Sequence, residues 1–307
     1  MIDATWTGNS EECRARSGAC WAFIVEKARF IVFGLYPHEL DWQAAGAVVI
    51  ITALVVATAL PALWRRHLIA VWFIAIGGAI ALMSGTATGH PVSTSLWGGF
   101  PLTLLLAVVG FAAAFPLGVV LALGRQSRLR ILRALAVAFI EALRGVPLIA
   151  VLYFSTLLLP LMLPAGVQID KLLRAQVAIV LFISAYMAEI VRAGLQAVPS
   201  SQSEAASSLG LNGWMVMRLV ILPQAFRAVI PSFVNLAIGL FLDTTLVIVI
   251  GLLDFLNTAK TAASDPSWIG FYNEGFFFAA LVYFTICFGG SRYSLWLEQR
   301  LHRGRQR

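Results

Sequence analysis

The chain has 307 residues, of which 60 % are apolar and only 12 % charged. Soluble domains carry about 25 % charged residues, so a soluble globular class is excluded. The net charge of +7 sits largely on arginines beside apolar runs, a pattern of membrane topology rather than of a nucleic-acid surface.

In chain order, residues 1–43 read as a polar N-terminal segment holding Cys13 and Cys20. Their spacing is compatible both with a disulfide closing a small loop and with two free thiols. Seven apolar runs follow, at 44–63, 68–83, 100–124, 135–160, 172–194, 229–253 and 274–297. The second is short and interrupted by Gly77 and Gly78. Each run is continuous rather than alternating, which predicts an all-α, polytopic transmembrane bundle and not a β-barrel. Trp97 and Phe100, just before the third run, are interface anchors by type and place.

The connections alternate in charge. WRRH at 64–67, RQSRLRILR at 125–133, the stretch from Arg192 to Arg227 and the tail RLHRGRQR are arginine-rich. The connections 84–99 and 254–273 share one basic residue, Lys260, and 161–171 adds only Lys171. Basic connections stay cytoplasmic, which predicts a cytoplasmic C-terminus and a periplasmic segment 1–43. That segment has no apolar signal region. Two explanations stay open: a further span ahead of residue 1, or translocation of the tail without a signal. The predicted parts are 1–43, additional N-terminal spans at 44–92, a main transmembrane domain at 93–300, and a basic tail at 301–307.

Several chemistries have no residues to carry them. The lysines are Lys27, Lys171 and Lys260, and none follows a glycine, so there is no phosphate-binding loop. The four histidines are scattered and form no metal-ligand spacing with cysteine. No nucleophile elbow or zinc-protease motif occurs. The chain reads as a transport component and not as an enzyme.

Charges inside apolar runs are costly and point to function. Glu141 and Arg144 occur in IEALRGVPL, and Glu189 and Arg192 in AYMAEIVRAGL, each pair at i and i+3. An intrahelical ion pair that eases insertion is the plain alternative for both. Gly145 and Pro147 predict a break after Arg144, and non-helical backbone at membrane depth marks a packed or cavity-lining place. Asp243, in LFLDTTLV beside Thr244, has no basic neighbour in sequence. Carboxylates for an ammonium and an arginine for a carboxylate suit a small zwitterion.

Residues 199–223 are polar and broken by Gly210 and Gly213. Ser201 and Glu204 have capping-box spacing, predicting a short helix over 201–209 whose small apolar face is Ala205, Ala206 and Leu209. Gly210 is a helix stop, and a second short segment, Trp214–Leu222, runs to Pro223. This predicts a helix–turn–helix on the cytoplasmic face.

EAASSLG followed by VILPQAFRAVIP resembles the cytoplasmic loop of permease subunits of bacterial ABC importers. Glu204, Ala205, Ala206, Gly210 and Ile221-Leu222-Pro223 carry the match. EALRGVPL, AYMAEIVRAGLQAVPSSQSEAA and LFLDTTLV narrow it to the polar and general L-amino-acid subfamily, over roughly 97–297. The resemblance implies a five-helix permease core plus additional N-terminal spans in the bacterial inner membrane. It implies that the 199–223 helix, with Ser201, Glu204, Ala205, Ala206 and Gly210, docks in a separate ATPase subunit that binds ATP and Mg. It further implies a periplasmic solute-binding protein, a second homologous permease chain, an amino-acid substrate, and a pathway past Glu141, Arg144, Glu189, Asp243 and Thr244. No cofactor is implied in this chain. Leu242 stands where many members have lysine, Thr245 where they have serine, Ser201 where they have glycine, and Val146 where threonine is frequent. A stand-alone secondary transporter is the alternative; it would need internal repeats, which are not visible, and would leave the 199–223 loop unexplained.

Overall fold

The computed structural model describes residues 5–15, 18–60, 63, 67–164 and 166–303. Two expectations, the basic residues of 64–66 and the basic tail at 304–307, lie outside the described residues, as do the side chains of 301–303. The described chain is helical, with only two isolated bridges, Thr5 to Cys20 and Gly99 to Asp254.

In order, the helices are α1 (Ser10–Ala15), α2 (Ala22–Phe33), α3 (Asp41–Ala59), α4 (Leu68–Met83), α5 (Gly99–Arg125) and α6 (Arg130–Arg144). After a break come α7 (Leu148–Met162), α8 (Lys171–Gln196), α9 (Ser200–Ser208), α10 (Gly213–Ile250), α11 (Phe255–Ala262) and α12 (Tyr272–Arg303). Among the described residues, five helices are long and apolar enough to cross a membrane, six if the bent pair α6–α7 is one span, and α4 is a shorter apolar helix.

Three expected elements differ. The run 135–160 is two helices, whose axis turns by 103° at Gly145–Pro147. The expected second segment Trp214–Leu222 is not separate: it is the start of the 38-residue α10, which passes straight through Pro223. Residues 216–221 open into a π turn that ends two positions before Pro223, and 154–158 do the same before Pro160. Proline lacks the N–H and crowds the carbonyl four residues back, and a π turn makes room for it. Third, 1–43 is not simply polar: α2 buries Phe23, Ile24 and Ile31.

The chain divides into two compact units. One holds 1–109, 152–176 and 243–284. There α3 and α4 form a hairpin, tied where the Tyr36 hydroxyl donates to the Met83 carbonyl at 2.8 Å and where Gln43 Nε2 donates to Thr88 Oγ1 at 2.6 Å. The N-terminal segment is pinned to the connection before α12. A disulfide joins Cys13 to Cys20. Arg14 donates to the carbonyls of Ser267 and Ile269, and Lys27 pairs with Asp265 at 3.0 Å. Phe23 packs against Trp268 and Phe271.

Asp254 is fully buried in the same unit and caps α11, accepting from the Leu256 N–H at 3.0 Å and from Asn257 Nδ2. The Tyr283 hydroxyl adds a longer bond at 3.4 Å.

The second unit holds 110–151, 177–242 and 285–307. Its core is Ala122, Ile140, Ala188, Val191, Leu195 and Ala225, drawn from α5, α6, α8 and α10. Small residues let these helices close up, as membrane packing requires. A Cβ on Gly118 would meet Met187 Cβ at 2.8 Å, and one on Gly194 would meet the Ala225 carbonyl oxygen at 2.7 Å.

Candidate functional site

The second unit gathers five charges into one cluster. Arg125 is the last residue of α5, Glu141 and Arg144 lie in the last turn of α6, and Glu189 and Arg192 in the last turns of α8. Arg125 Nη1 donates to Glu141 Oε1 at 3.0 Å and to Glu189 Oε1 at 2.7 Å. The other oxygen of Glu189 accepts from Arg192 Nε at 2.9 Å, and Arg144 Nη1 stands 3.9 Å from it. Arg144 also sits over the Tyr186 ring, 5.7 Å from its centroid. Arg192 Nη1 goes on to Gln196 Oε1 at 2.8 Å.

Glu189 is the hub. Its side chain is 16 % exposed, while that of Glu141 is 54 % exposed. A carboxylate withdrawn this far from water needs partners, and three guanidiniums surround it. Three arginines against two glutamates leave the cluster one positive charge in excess. Arg144 is the least committed of the three, because its ion-pair distance is the longest.

The residues expected from the sequence are thus only partly brought together. Glu141, Arg144 and Glu189 meet, with Arg192 completing the expected i, i+3 pair on α8. They lie at helix ends rather than at mid-span: Glu189 is seven residues from Gln196, about 10 Å of helix. Arg125 escapes sequence reasoning. It stands at the head of a basic run that reads as a topology signal, and only the placement of α6 against the end of α5 brings it to Glu141 and Glu189. Asp243 and Thr244 do not join the cluster; Thr244 belongs to the other unit, as does Asp243. Thr244 is fully buried and Asp243 half-buried. Among the described residues, no basic side chain pairs with Asp243.

The 199–223 stretch builds a surface helix. Its start differs from expectation: Pro199 is the N-cap, and no side chain caps the first N–H groups. Ser201 therefore lies inside α9, and the Ser201–Glu204 capping box does not form. Proline's fixed φ already suits a helix entry, and Ser203, Ser207 and Ser208 turn their hydroxyls back onto α9 carbonyls instead. The other end closes as a Schellman motif: Gly210 N–H bonds to the Ser207 carbonyl, Leu211 N–H to that of Ala206, and Gly210 has φ +81°. Asn212 then caps α10, accepting from Met215 N–H at 2.9 Å.

Of the predicted small face, only Ala206 turns inward, and α9 rests on the π turn of α10. Glu204, Ala205 and Ser201 are exposed, and Leu209 is 83 % exposed. The helix is held by buried Ala206 and by a bond from Gln224 Nε2 to Gln202 Oε1 at 3.4 Å, and it leaves most of its surface exposed.

Residues 114–303 match the family described as binding-protein-dependent transport system inner membrane component. The inner membrane amino-acid ABC transporter permease protein YhdY of Escherichia coli K12 is 46 % identical, over 99 % of this chain and 84 % of its own. The glutamate/glutamine/aspartate/asparagine transport system permease protein BztC of Rhodobacter capsulatus is 36 % identical, over 99 % of this chain and 86 % of its own. Among solved structures, an amino acid ABC transporter with histidines matches at a TM-score of 0.59 and 32 % identity, covering 66 % of this chain and 92 % of that one.

Proposed function

The chain belongs to the family of binding-protein-dependent transport system inner membrane components, and from that membership we propose that its cargo is an amino acid. It is a multi-pass inner-membrane permease subunit of an ABC importer, working with an ATPase and a binding protein. The amino-acid cargo is supported by the names of its relatives, YhdY and BztC.

The observation that carries the coupling assignment is α9, a nine-residue helix between two spans whose only buried side chain is Ala206. Such a helix offers itself to a partner. Glu204, Ala205 and the Gly210 turn form the contact with the ATPase subunit, which binds ATP and Mg; a second homologous permease completes the pathway. Glu141, Arg144, Glu189, Asp243 and Thr244 line that pathway, and Arg125 holds the two glutamates of the inner cluster in place. An arginine in excess, beside a π face, suits a carboxylate passing through. The Cys13–Cys20 disulfide supports a periplasmic N-terminal segment, since disulfides persist in oxidising compartments. The arginine-rich connections support a cytoplasmic C-terminus.

The test is uptake by proteoliposomes containing the chain with its ATPase, second permease and binding protein. Labelled amino acid accumulates only with internal ATP and binding protein present. Accumulation with the chain alone, driven by an ion gradient, would instead make it a secondary transporter.

A further inference from the structure

The segment after α5 carries chemistry that the transport path does not use. Arg128, Arg130 and Arg133 are exposed, and among the described residues none of them forms an ion pair. No acidic residue occurs between Arg125 and Glu141. Interleaved with these arginines are Leu129, 62 % exposed, and Ile131, 75 % exposed, with Leu135 one turn further on at 64 %.

The position of this segment in the fold brings basic and apolar side chains to the membrane surface. It begins three residues after α5, a helix of membrane-spanning length and apolarity that ends at Arg125. A Cβ on Gly124, in the last turn of α5, would lie 3.3 Å from Ala136 Cβ, so the start of α6 stays beside the end of that span. Residues 128–135 therefore lie at the level where the span leaves the bilayer.

We infer that 128–135 is an interfacial site for anionic phospholipid headgroups, with Arg128, Arg130 and Arg133 on the phosphates and Leu129, Ile131 and Leu135 in the acyl boundary. Juxtamembrane arginines attract anionic lipid, and large apolar side chains beside them anchor at the headgroup level. An acidic protein surface would match the arginines. It would not account for large apolar side chains at the depth where a span ends.

The test uses the full-length chain reconstituted in phosphatidylcholine bilayers with a minor fraction of spin-labelled phosphatidylglycerol or spin-labelled phosphatidylcholine. The fraction of motionally restricted label gives the selectivity for the anionic lipid. The wild type prefers phosphatidylglycerol, and R128Q/R130Q/R133Q lowers that preference by roughly two-fold or more. The lysine triple variant keeps it, which separates charge from folding. Added salt weakens it. Equal selectivity in the glutamine variant and the wild type overturns the site. So does unchanged lipid selectivity together with lost binding of the ATPase subunit, which would assign these arginines to a protein surface.

Discussion

Arg125 and Glu189 stand 64 residues apart in sequence and 2.7 Å apart in space, joining the end of α5 to α8. The same guanidinium nitrogen reaches Glu141, so one side chain ties three helices. Arg125→Ala removes the short contacts of a largely buried carboxylate and should cost about 1–3 kcal/mol. Arg144→Ala removes a 3.9 Å pair on a side chain 37 % exposed and should cost at most about 1 kcal/mol. Thermal unfolding in detergent should rank R125A below R144A. Both should lower uptake: R125A releases the two glutamates, and R144A removes the cluster's least committed cation. Normal uptake in R144A would take that residue off the pathway.

Gly210 and Gly213 flank the same turn and should respond differently. A methyl added at either position would have no atom within 4 Å, so space does not separate them. Gly210 has φ +81°, and Gly213 has no positive φ. Gly210→Ala should cost about 1 kcal/mol through backbone strain and loosen α9. Gly213→Ala should be neutral or slightly stabilising, as alanine is the better helix former. Limited proteolysis of the 199–213 region would read the difference.

Asp254 gives a pH dependence of definite sign. Burial, the largest influence, holds its carboxyl above the ordinary value even though Asn257, the Leu256 and Asn257 N–H groups and Tyr283 donate to it. A raised value in the folded state means that the folded chain binds the proton more tightly. That stability is full below the unfolded value of about 3.9 and is lost as pH rises through the folded value. Asp254→Asn keeps the cap and should flatten the dependence. Asp254→Ala leaves the first turn of α11 uncapped and should cost about 1–2 kcal/mol. Unfolding midpoints across this pH window, compared among the three proteins, check both statements.

The Cys13–Cys20 disulfide closes a short loop, seven residues in separation. In the chain-entropy account such a loop is worth about 2.5 kcal/mol. Its reduction should loosen the segment that Arg14 and Lys27 hold on the connection before α12, and leave the α5–α8 packing intact. Hydrogen exchange before and after reduction should show faster exchange in α1 and α2 only. A maleimide that cannot cross the membrane should label these two cysteines in intact cells after external reduction. Labelling only in lysed cells would place the segment in the cytoplasm.

Long apolar runs are legible in the sequence because bilayer thickness fixes their length. The run 100–124 is α5 within a residue at either end, 68–83 coincides with α4, and 172–194 differs from α8 by one or two residues. Prolines are harder. Pro147 reads as a break and is one, but Pro223 reads as an end and is not. Nothing local distinguishes a proline that stops a helix from one accommodated by a π turn. Ser201 has capping-box spacing, yet the helix begins one residue earlier, and register alone dissolves the box. For the site, the i, i+3 pairs expose Glu141, Arg144, Glu189 and Arg192, because short spacing on a helix is visible in sequence. Arg125 is hidden, because its role depends on contacts with Glu141 and Glu189, 16 and 64 residues away in sequence.

Coupling of α9 to ATP hydrolysis in a partner can be read from ATP-driven uptake and ATPase activity of the reconstituted complex carrying Glu204→Lys. Glu204 is exposed, so the substitution should leave folding and insertion unchanged. The account predicts uptake reduced roughly ten-fold or more, the equivalent of about 1.4 kcal/mol at the contact, with ATPase activity no longer responding to the binding protein. Uptake at the wild-type rate, with ATPase activity still stimulated, would contradict it.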